Sequence, residues 1–185
     1  VVINAGNANA FTGKAGVATV KAVASAAARH LKCKPYNIFQ ASTGVIGEPL
    51  NPSPITAALP QLMEAARSDA WSEAARAIMT TDTYPKLATR TALIGDTEVT
   101  INGFCKGAGM IAPDMATMLC FIFTDAAITS GAMQELLAEH TRTTFNAMTV
   151  DGDTSTSDTC LLFATGAAAA RGQKPVTKAK SKRIR

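Results

Sequence analysis

Residues 106–123 read KGAGMIAPDMATMLCFIF, a glycine-rich loop that passes through a Pro-Asp turn into a hydrophobic strand. The strand begins next to Ala116 and Thr117. Because a β-branched threonine has little freedom about χ1, Thr117 would hold its hydroxyl in one direction. If the peptide bond after Ala116 is cut, the new α-amine lies beside that hydroxyl and can act as its base. The segment taken alone is equally compatible with a strand that merely starts with threonine.

The surrounding sequence predicts an α/β or layered α+β domain, with a mixed sheet and packed helices. An amphipathic helix is expected over 16–31, with Val17, Val20, Val23 and Ala27 on its buried face. A later helix is expected to have Ser53 as its N-cap and Pro54 as its first residue. Other helices are predicted at 70–79 and 130–145, strands at 1–4, 37–42, 118–125 and 160–166, and a β-hairpin over 87–104 with its turn at 95–96.

Length and composition are those of a globular protein. The chain has 185 residues, of which 47% are hydrophobic and 17% charged, and a chain this long buries about 70% of the surface that it exposes when unfolded. No apolar run is long enough to span a bilayer, and no signal-peptide pattern is present. We therefore expect residues 1–185 to form a single domain of a cytoplasmic protein that does not bind membranes.

The net charge of +4 comes from one end of the chain. Seven of the 18 Lys and Arg residues lie within 171–185, where there is no acidic residue, and the remainder is mildly acidic. A basic segment without interleaved aromatics is more typical of a solvated end than of a nucleic-acid site, so no nucleic-acid partner is expected. A non-catalytic binding module built on this tail remains an alternative.

Neither cysteines nor acidic loops suggest a metal. The four cysteines are scattered, without a CxxC pair or a neighbouring histidine, and read as free thiols in a reducing cytosol. Asp82, Asp151, Asp153 and Asp158 lie in two polar loops that lack the spacing of a calcium hand. For these carboxylates, hydrogen bonding within turns is the expected role, and a role in shaping a site is left open.

The sequence contains, in this order, the segments AGNANAFTG, ASTGVIGEPL, MTTDTYPK, NGFCKGAGMIAPDMATML and VDGDTSTSDT. Together they resemble the signature segments of the ornithine acetyltransferase family of arginine biosynthesis, the bifunctional glutamate N-acetyltransferases. The resemblance covers residues 1 to about 177. It implies a precursor that cleaves itself between Ala116 and Thr117, into pieces 1–116 and 117–185, and makes Thr117 the nucleophile.

The resemblance also implies the rest of a site. Thr43 and Gly44 match the family's oxyanion hole, and Thr80, Lys106 and Thr117 match its substrate-binding positions. A threonine and a glycine suit an oxyanion hole, because the tetrahedral oxyanion needs fixed hydrogen-bond donors and a glycine has no Cβ to obstruct its approach. A cation at Lys106 can hold the carboxylate of an amino-acid substrate. An isolated lysine would instead be read as a solvated loop residue.

The implied reaction is a ping-pong acetyl transfer by a multifunctional, self-processing acyltransferase. N-acetylornithine acetylates Thr117, ornithine leaves, and glutamate takes the acetyl group. No metal or cofactor is expected, and acetyl-CoA as a second donor is left open. A self-cleaving amidase or aminopeptidase is the alternative enzyme.

The resemblance further implies a heterotetramer of two α and two β chains. Family members extend beyond both ends of this sequence, and later residues, a glutamate among them, help to bind substrate. We therefore expect an incomplete pocket here.

Overall fold

The structure, a computed structural model, describes residues 1–107, 117–148 and 154–180. Strands and helices are mixed along the chain, and both parallel and antiparallel strand pairs occur, which confirms the predicted fold class. In chain order the elements are β1 (Val2–Asn7), α1 (Gly13–Leu31), β2 (Gln40–Val45), α2 (Pro52–Glu64), α3 (Trp71–Ala77), β3 (Lys86–Ile94), β4 (Thr97–Lys106), β5 (Leu119–Thr124), α4 (Ser130–Thr141) and β6 (Thr159–Ala164).

The chain divides into two compact units. The first comprises Val1–Pro85 with the described parts of Lys106–Leu119 and Asp153–Thr159. The second comprises Lys86–Cys105 with the described parts of Cys120–Gly152 and Cys160–Arg185. The expectation of one domain over 1–185 stays a prediction.

In the first unit, β1 and β2 pair in parallel, with Ala5 opposite Thr43 and Gly6 opposite Gly44. Parallel neighbours require a crossover, and α1 provides it. The strand β2 begins three residues later than predicted, because residues 35–37 form a 3-10 turn. As a result the STG segment lies inside the strand instead of in a loop after it.

The buried face of α1 differs from the predicted one. Val23 and Ala27 are each only 2% exposed, as expected, whereas Val17 is 55% and Val20 41% exposed. Val17 is one residue, or about 100° of helical rotation, away from the buried Gly16. Val20 borders a cavity instead of packed side chains. Ala26 and Ala27 pack with Leu59 of α2, so small residues rather than valines make most of this contact.

The start of α2 was predicted two residues too late. Asn51, not Ser53, is the N-cap, since its side chain accepts a hydrogen bond from Ser53 N at 3.0 Å. Pro52 rather than Pro54 then takes the first helical position. Either proline satisfies the sequence rule, and the asparagine side chain decides between them.

The second unit contains most of a four-stranded sheet with the strand order β3-β4-β5-β6. The predicted hairpin is confirmed: β3 and β4 are antiparallel, and Gly95 in the turn has φ of +64°. Helices and loops of this unit bury an apolar cluster made of Ile94, Val99, Ala126, Ala132, Ala168 and Val176.

Part of the basic segment is packed instead of solvated. Gln173 is 3% exposed and Val176 1%, and Val176 N donates to Ala127 O at 2.9 Å. Arg171 forms an ion pair with Asp125 at 2.6 Å. The expectation of a solvated end is therefore wrong for Gln173 and Val176, whereas Lys174, Lys178 and Lys180 are exposed. Residues 181–185 lie outside the described ranges. None of the described helices combines the length and apolar character needed to cross a bilayer.

Candidate active site

Gly44 lies where two backbones approach closely. Its φ is +123°, and a Cβ at this position would meet the backbone of Gly6 and lie 2.6 Å from Asn7 N. The pairing of β1 with β2 therefore requires a glycine at position 44, whether or not this residue also binds an oxyanion. Beside it, Thr43 is 1% exposed.

Lys106, the last residue of β4, brings three of the predicted site residues together. Its Nζ donates to Thr80 Oγ1 at 2.9 Å and to Thr43 Oγ1 at 3.4 Å. The side chain has no exposed surface, so the solvated-loop reading of this lysine is wrong. Its contact with a substrate carboxylate stays a prediction.

Asp82 also belongs to this group, and sequence reasoning missed its pairing with Lys106. Its Oδ2 lies 4.0 Å from Lys106 Nζ, and neither side chain is exposed. The same carboxylate accepts Gly107 N at 2.8 Å and Thr80 N at 3.3 Å. The expected hydrogen bonding within a turn is confirmed. Asp82 is also the buried counter-charge of Lys106, a role that no local sequence pattern predicts.

The ammonium group determines how the two threonine hydroxyls are used. A lysine ammonium has three donors and no acceptor, so Thr43 Oγ1 and Thr80 Oγ1 must accept from it. Each hydroxyl therefore keeps its own hydrogen to donate elsewhere. A buried threonine held in this way is a suitable donor to developing negative charge.

Thr117 is fully buried and lies two residues before β5. Its Oγ1 is 2.9 Å from Ser155 Oγ. The next residue, Met118, is held on both sides: its N donates to Asp158 Oδ1 at 2.7 Å, and its O accepts from Thr159 N at 2.9 Å. Ala116 lies outside the described residues, so the cleavage stays a prediction.

Ser155 is a residue that sequence reasoning missed. It is 7% exposed, and its Oγ accepts from Ser157 N at 3.1 Å. Asp158 Oδ2 accepts Ser155 N at 3.1 Å, which confirms the expected turn-forming role of Asp158. The Ser-x-x-Asp spacing resembles a capping box and was a usable signal. Asp151 and Asp153 lie outside the described ranges.

The residues around Lys106 and those around Thr117 all belong to the first unit. The two groups come close at Gly107, which follows Lys106, and Met118, which follows Thr117. A Cβ on Gly107 would lie 3.7 Å from Met118 Cα. A cavity of about 180 Å³ also lies in this unit, between β1, β2 and α1. Its walls are apolar or uncharged polar, and none of Thr43, Lys106 or Thr117 lines it.

Thiols and carboxylates of the described ranges offer no metal centre: no three His, Cys, Asp or Glu side chains in them are grouped as ligands. All four cysteines are free thiols. The pKa of Cys120 is raised, first by its hydrogen bond with Cys160 and second by burial. The same hydrogen bond lowers the pKa of Cys160.

The proteins that resemble this chain include two curated relatives and one solved structure. The arginine biosynthesis bifunctional protein ArgJ of Brucella suis biovar 1 (strain 1330) is 58% identical over 184 residues, which are 100% of this chain and 45% of the relative. The protein of the same name from Agrobacterium fabrum (strain C58) is 59% identical over 184 residues, with the same coverage. The crystal structure of the arginine biosynthesis bifunctional protein argJ from Bacillus halodurans has a TM-score of 0.51 at 33% identity and covers 63% of this chain and 60% of that chain.

The chain thus spans about 45% of the length of these curated relatives. A family model described as the ArgJ family matches residues 1–184. Together with the identities, this confirms the resemblance drawn from the five segments: the chain belongs to the ArgJ family.

Proposed function

We propose that this chain supplies the nucleophile and the oxyanion hole of a glutamate N-acetyltransferase that uses N-acetylornithine as donor. The relatives named for arginine biosynthesis support the substrate class. The observation that carries the proposal is the buried Lys106 ammonium, which donates to the hydroxyls of both Thr43 and Thr80. That arrangement leaves the Thr43 hydroxyl free to donate to an acyl oxyanion.

Self-cleavage prepares the nucleophile. The hydroxyl oxygen of Thr117 attacks the carbonyl carbon of Ala116, the peptide C–N bond breaks, and the protonated nitrogen becomes the amine of Thr117. Water then hydrolyses the resulting ester, which releases the Ala116 carboxylate and restores the hydroxyl. An unperturbed α-amine has a pKa of about 7.7 to 8.0, close to the value a general base needs at neutral pH.

Acetyl transfer follows in two halves. Thr117 Oγ1 attacks the acetyl carbonyl of N-acetylornithine, its proton passes to the Thr117 amine, and ornithine departs with a proton on its nitrogen. Glutamate then attacks the acetyl-threonine ester, and the hydroxyl is restored. In both halves the Thr43 hydroxyl and the Gly44 N–H stabilise the oxyanion, and Lys106 keeps the Thr43 hydroxyl oriented. The contacts of Thr80 and Lys106 with substrate belong to this proposal.

Access to the nucleophile has a structural consequence. Thr117 has no exposed surface in this structure. An acyl donor therefore reaches Oγ1 only after neighbouring residues move, and we expect that movement to follow the cut after Ala116.

The remaining assignments of the proposal follow from the family. The substrates are small molecules, acetyl-CoA is a candidate second donor, and no metal or other cofactor takes part. The two cleaved chains stay together as a heterotetramer of two α and two β chains in the cytoplasm. Residues of the relatives beyond the matched 45% complete the pocket.

Intact-mass spectrometry of the full-length protein tests the proposal. We expect two chains separated between Ala116 and Thr117, and a gain of one acetyl group on the chain that starts with Thr117 after mixing with N-acetylornithine. Thr117→Ala should abolish both the splitting and the label, whereas the exposed Thr156→Ala in a nearby loop should affect neither. Acetyl transfer by an uncleaved protein, or by Thr117→Ala, would refute the mechanism. Hydrolysis of the acetyl group in place of transfer to glutamate would indicate the amidase alternative.

A further inference from the structure

The nucleophile has a buried hydrogen-bonding partner outside the set of residues assigned so far. Thr117 Oγ1 lies 2.9 Å from Ser155 Oγ, with Thr117 fully buried and Ser155 only 7% exposed. A hydroxyl in this position touches the atom that must attack the acyl carbon. Ser155 can therefore influence the reaction directly.

The surrounding hydrogen bonds are compatible with Ser155 as the donor in this contact, in which either oxygen can donate. Ser157 N donates to Ser155 Oγ at 3.1 Å, which occupies one lone pair of that oxygen. The Ser155 hydrogen remains available for Thr117 Oγ1. The proton of Thr117 is then free to point towards the α-amine that serves as base.

The Asp158 carboxylate fixes the positions of Thr117 and Ser155 relative to each other. Asp158 Oδ1 accepts Met118 N at 2.7 Å, and its Oδ2 accepts Ser155 N at 3.1 Å. One side chain thus binds the residue that follows the nucleophile and the residue that contacts its hydroxyl. Because each oxygen has a separate partner, a carboxylate suits this position better than a carboxamide, which has only one acceptor oxygen.

We propose that Ser155 is a catalytic hydrogen-bond donor to Thr117 Oγ1 and that Asp158 is the positioning residue that holds it there. The proposal rests on the threonine-nucleophile function proposed above. During attack the Thr117 proton moves to the α-amine, and Oγ1 bonds to the acyl carbon. Ser155 keeps its own proton, and its hydrogen bond stabilises the partial negative charge on Oγ1 while the Thr117 proton leaves and, in the second half, when Oγ1 departs from the acetyl carbon.

Three variants of the full-length protein test the proposal. Ser155→Ala removes the donor, Ser155→Thr retains a hydroxyl, and Asp158→Asn removes one of the two acceptor oxygens. Thr156→Ala, which lies between them and is exposed, is the matched control. Each protein is assayed for the rate of self-cleavage, for kcat and KM with N-acetylornithine, and for its thermal midpoint.

We expect Ser155→Ala to slow self-cleavage or lower kcat by about 10- to 100-fold, the range for losing one hydrogen bond to a charged group. KM should stay within about twofold, since the bond acts mainly on the nucleophile in the transition state. Ser155→Thr should recover part of the loss, and Asp158→Asn should lose less than Ser155→Ala. A role in packing alone would lower the thermal midpoint and leave kcat of the folded enzyme unchanged.

The outcomes separate the two proposals. If wild type neither cleaves nor acetylates Thr117, the threonine-nucleophile function fails. If wild type does both and Ser155→Ala matches Thr156→Ala in cleavage and kcat, the role of Ser155 is refuted while that function stands. If Ser155→Ala does not fold, Asp158→Asn decides, because Asp158 is exposed. Wild-type cleavage and kcat in Asp158→Asn would then overturn the proposal.

Discussion

Lys106→Met tests the buried charge on which the candidate site is built. Methionine keeps a similar length but removes the ammonium group. The change leaves Asp82 without its counter-charge, in a place where neither side chain is exposed. It also removes the donor to Thr43 Oγ1 and Thr80 Oγ1.

The expected cost follows from these contacts. Breaking a buried ion pair by removing one partner costs about 3–5 kcal/mol, because the remaining charge stays uncompensated. The Asp82 carboxylate keeps its hydrogen bonds from Gly107 N and Thr80 N, which offset part of the loss. We therefore expect the free energy of unfolding to fall by about 3 kcal/mol.

Urea unfolding measures this loss. Trp71 is the only tryptophan in the 185 residues and belongs to the first unit, so its fluorescence reports on the relevant part of the chain. The double variant Lys106→Met/Asp82→Asn also removes the unpaired negative charge of Asp82 and should recover part of the stability. A double-mutant cycle quantifies this recovery. A loss below about 0.5 kcal/mol in Lys106→Met, or no recovery in the double variant, would refute the buried-pair reasoning.

Two further predictions concern stability. Gly44→Ala should lower the free energy of unfolding by at least about 2 kcal/mol, because an alanine at φ of +123° is strained and its Cβ would meet the backbone of β1. In the same urea titration Gly131→Ala in α4, where a Cβ meets nothing within 4 Å, should be neutral or stabilising, and equal effects of the two changes would contradict this account. Burial raises the pKa of Asp125, but hydrogen bonds from Arg171 and the backbone outweigh it and hold the pKa below its ordinary value. The stabilisation by Asp125 is then present above the unfolded-state pKa of about 3.9 and is lost as pH falls through the lower folded-state pKa. Since Arg171 is half exposed, Asp125→Asn should lower the free energy of unfolding by less than about 1 kcal/mol at pH 7. Urea titrations at pH 7 and near pH 3 should show a smaller loss at pH 3, and a larger loss there would contradict the predicted direction of the pH dependence.

Features that depend on neighbouring residues were predictable from the sequence. The hairpin followed from alternating residues on either side of Gly95, whose positive φ the turn requires. Thr117 became the candidate nucleophile through the resemblance carried by five segments, because its own segment fits a strand that merely starts with threonine equally well. Its burial agrees with a rigidly held side chain, and its role stays a prediction. The start of α2 was missed by two residues, because two prolines offered the same local signal.

Only the tertiary structure decided which side chains meet. Lys106 is 63 residues from Thr43, and Thr117 is 38 residues from Ser155. Contacts over such separations depend on how strands pair and loops return, which backbone propensity does not encode. The sequence by itself therefore determined the order of the elements and predicted a threonine nucleophile, which stays a prediction. Folding decided that Asp82 is the counter-charge of Lys106, that Gly44 is required by β1, and that Ser155 contacts Thr117, because each depends on chain segments that are distant in sequence.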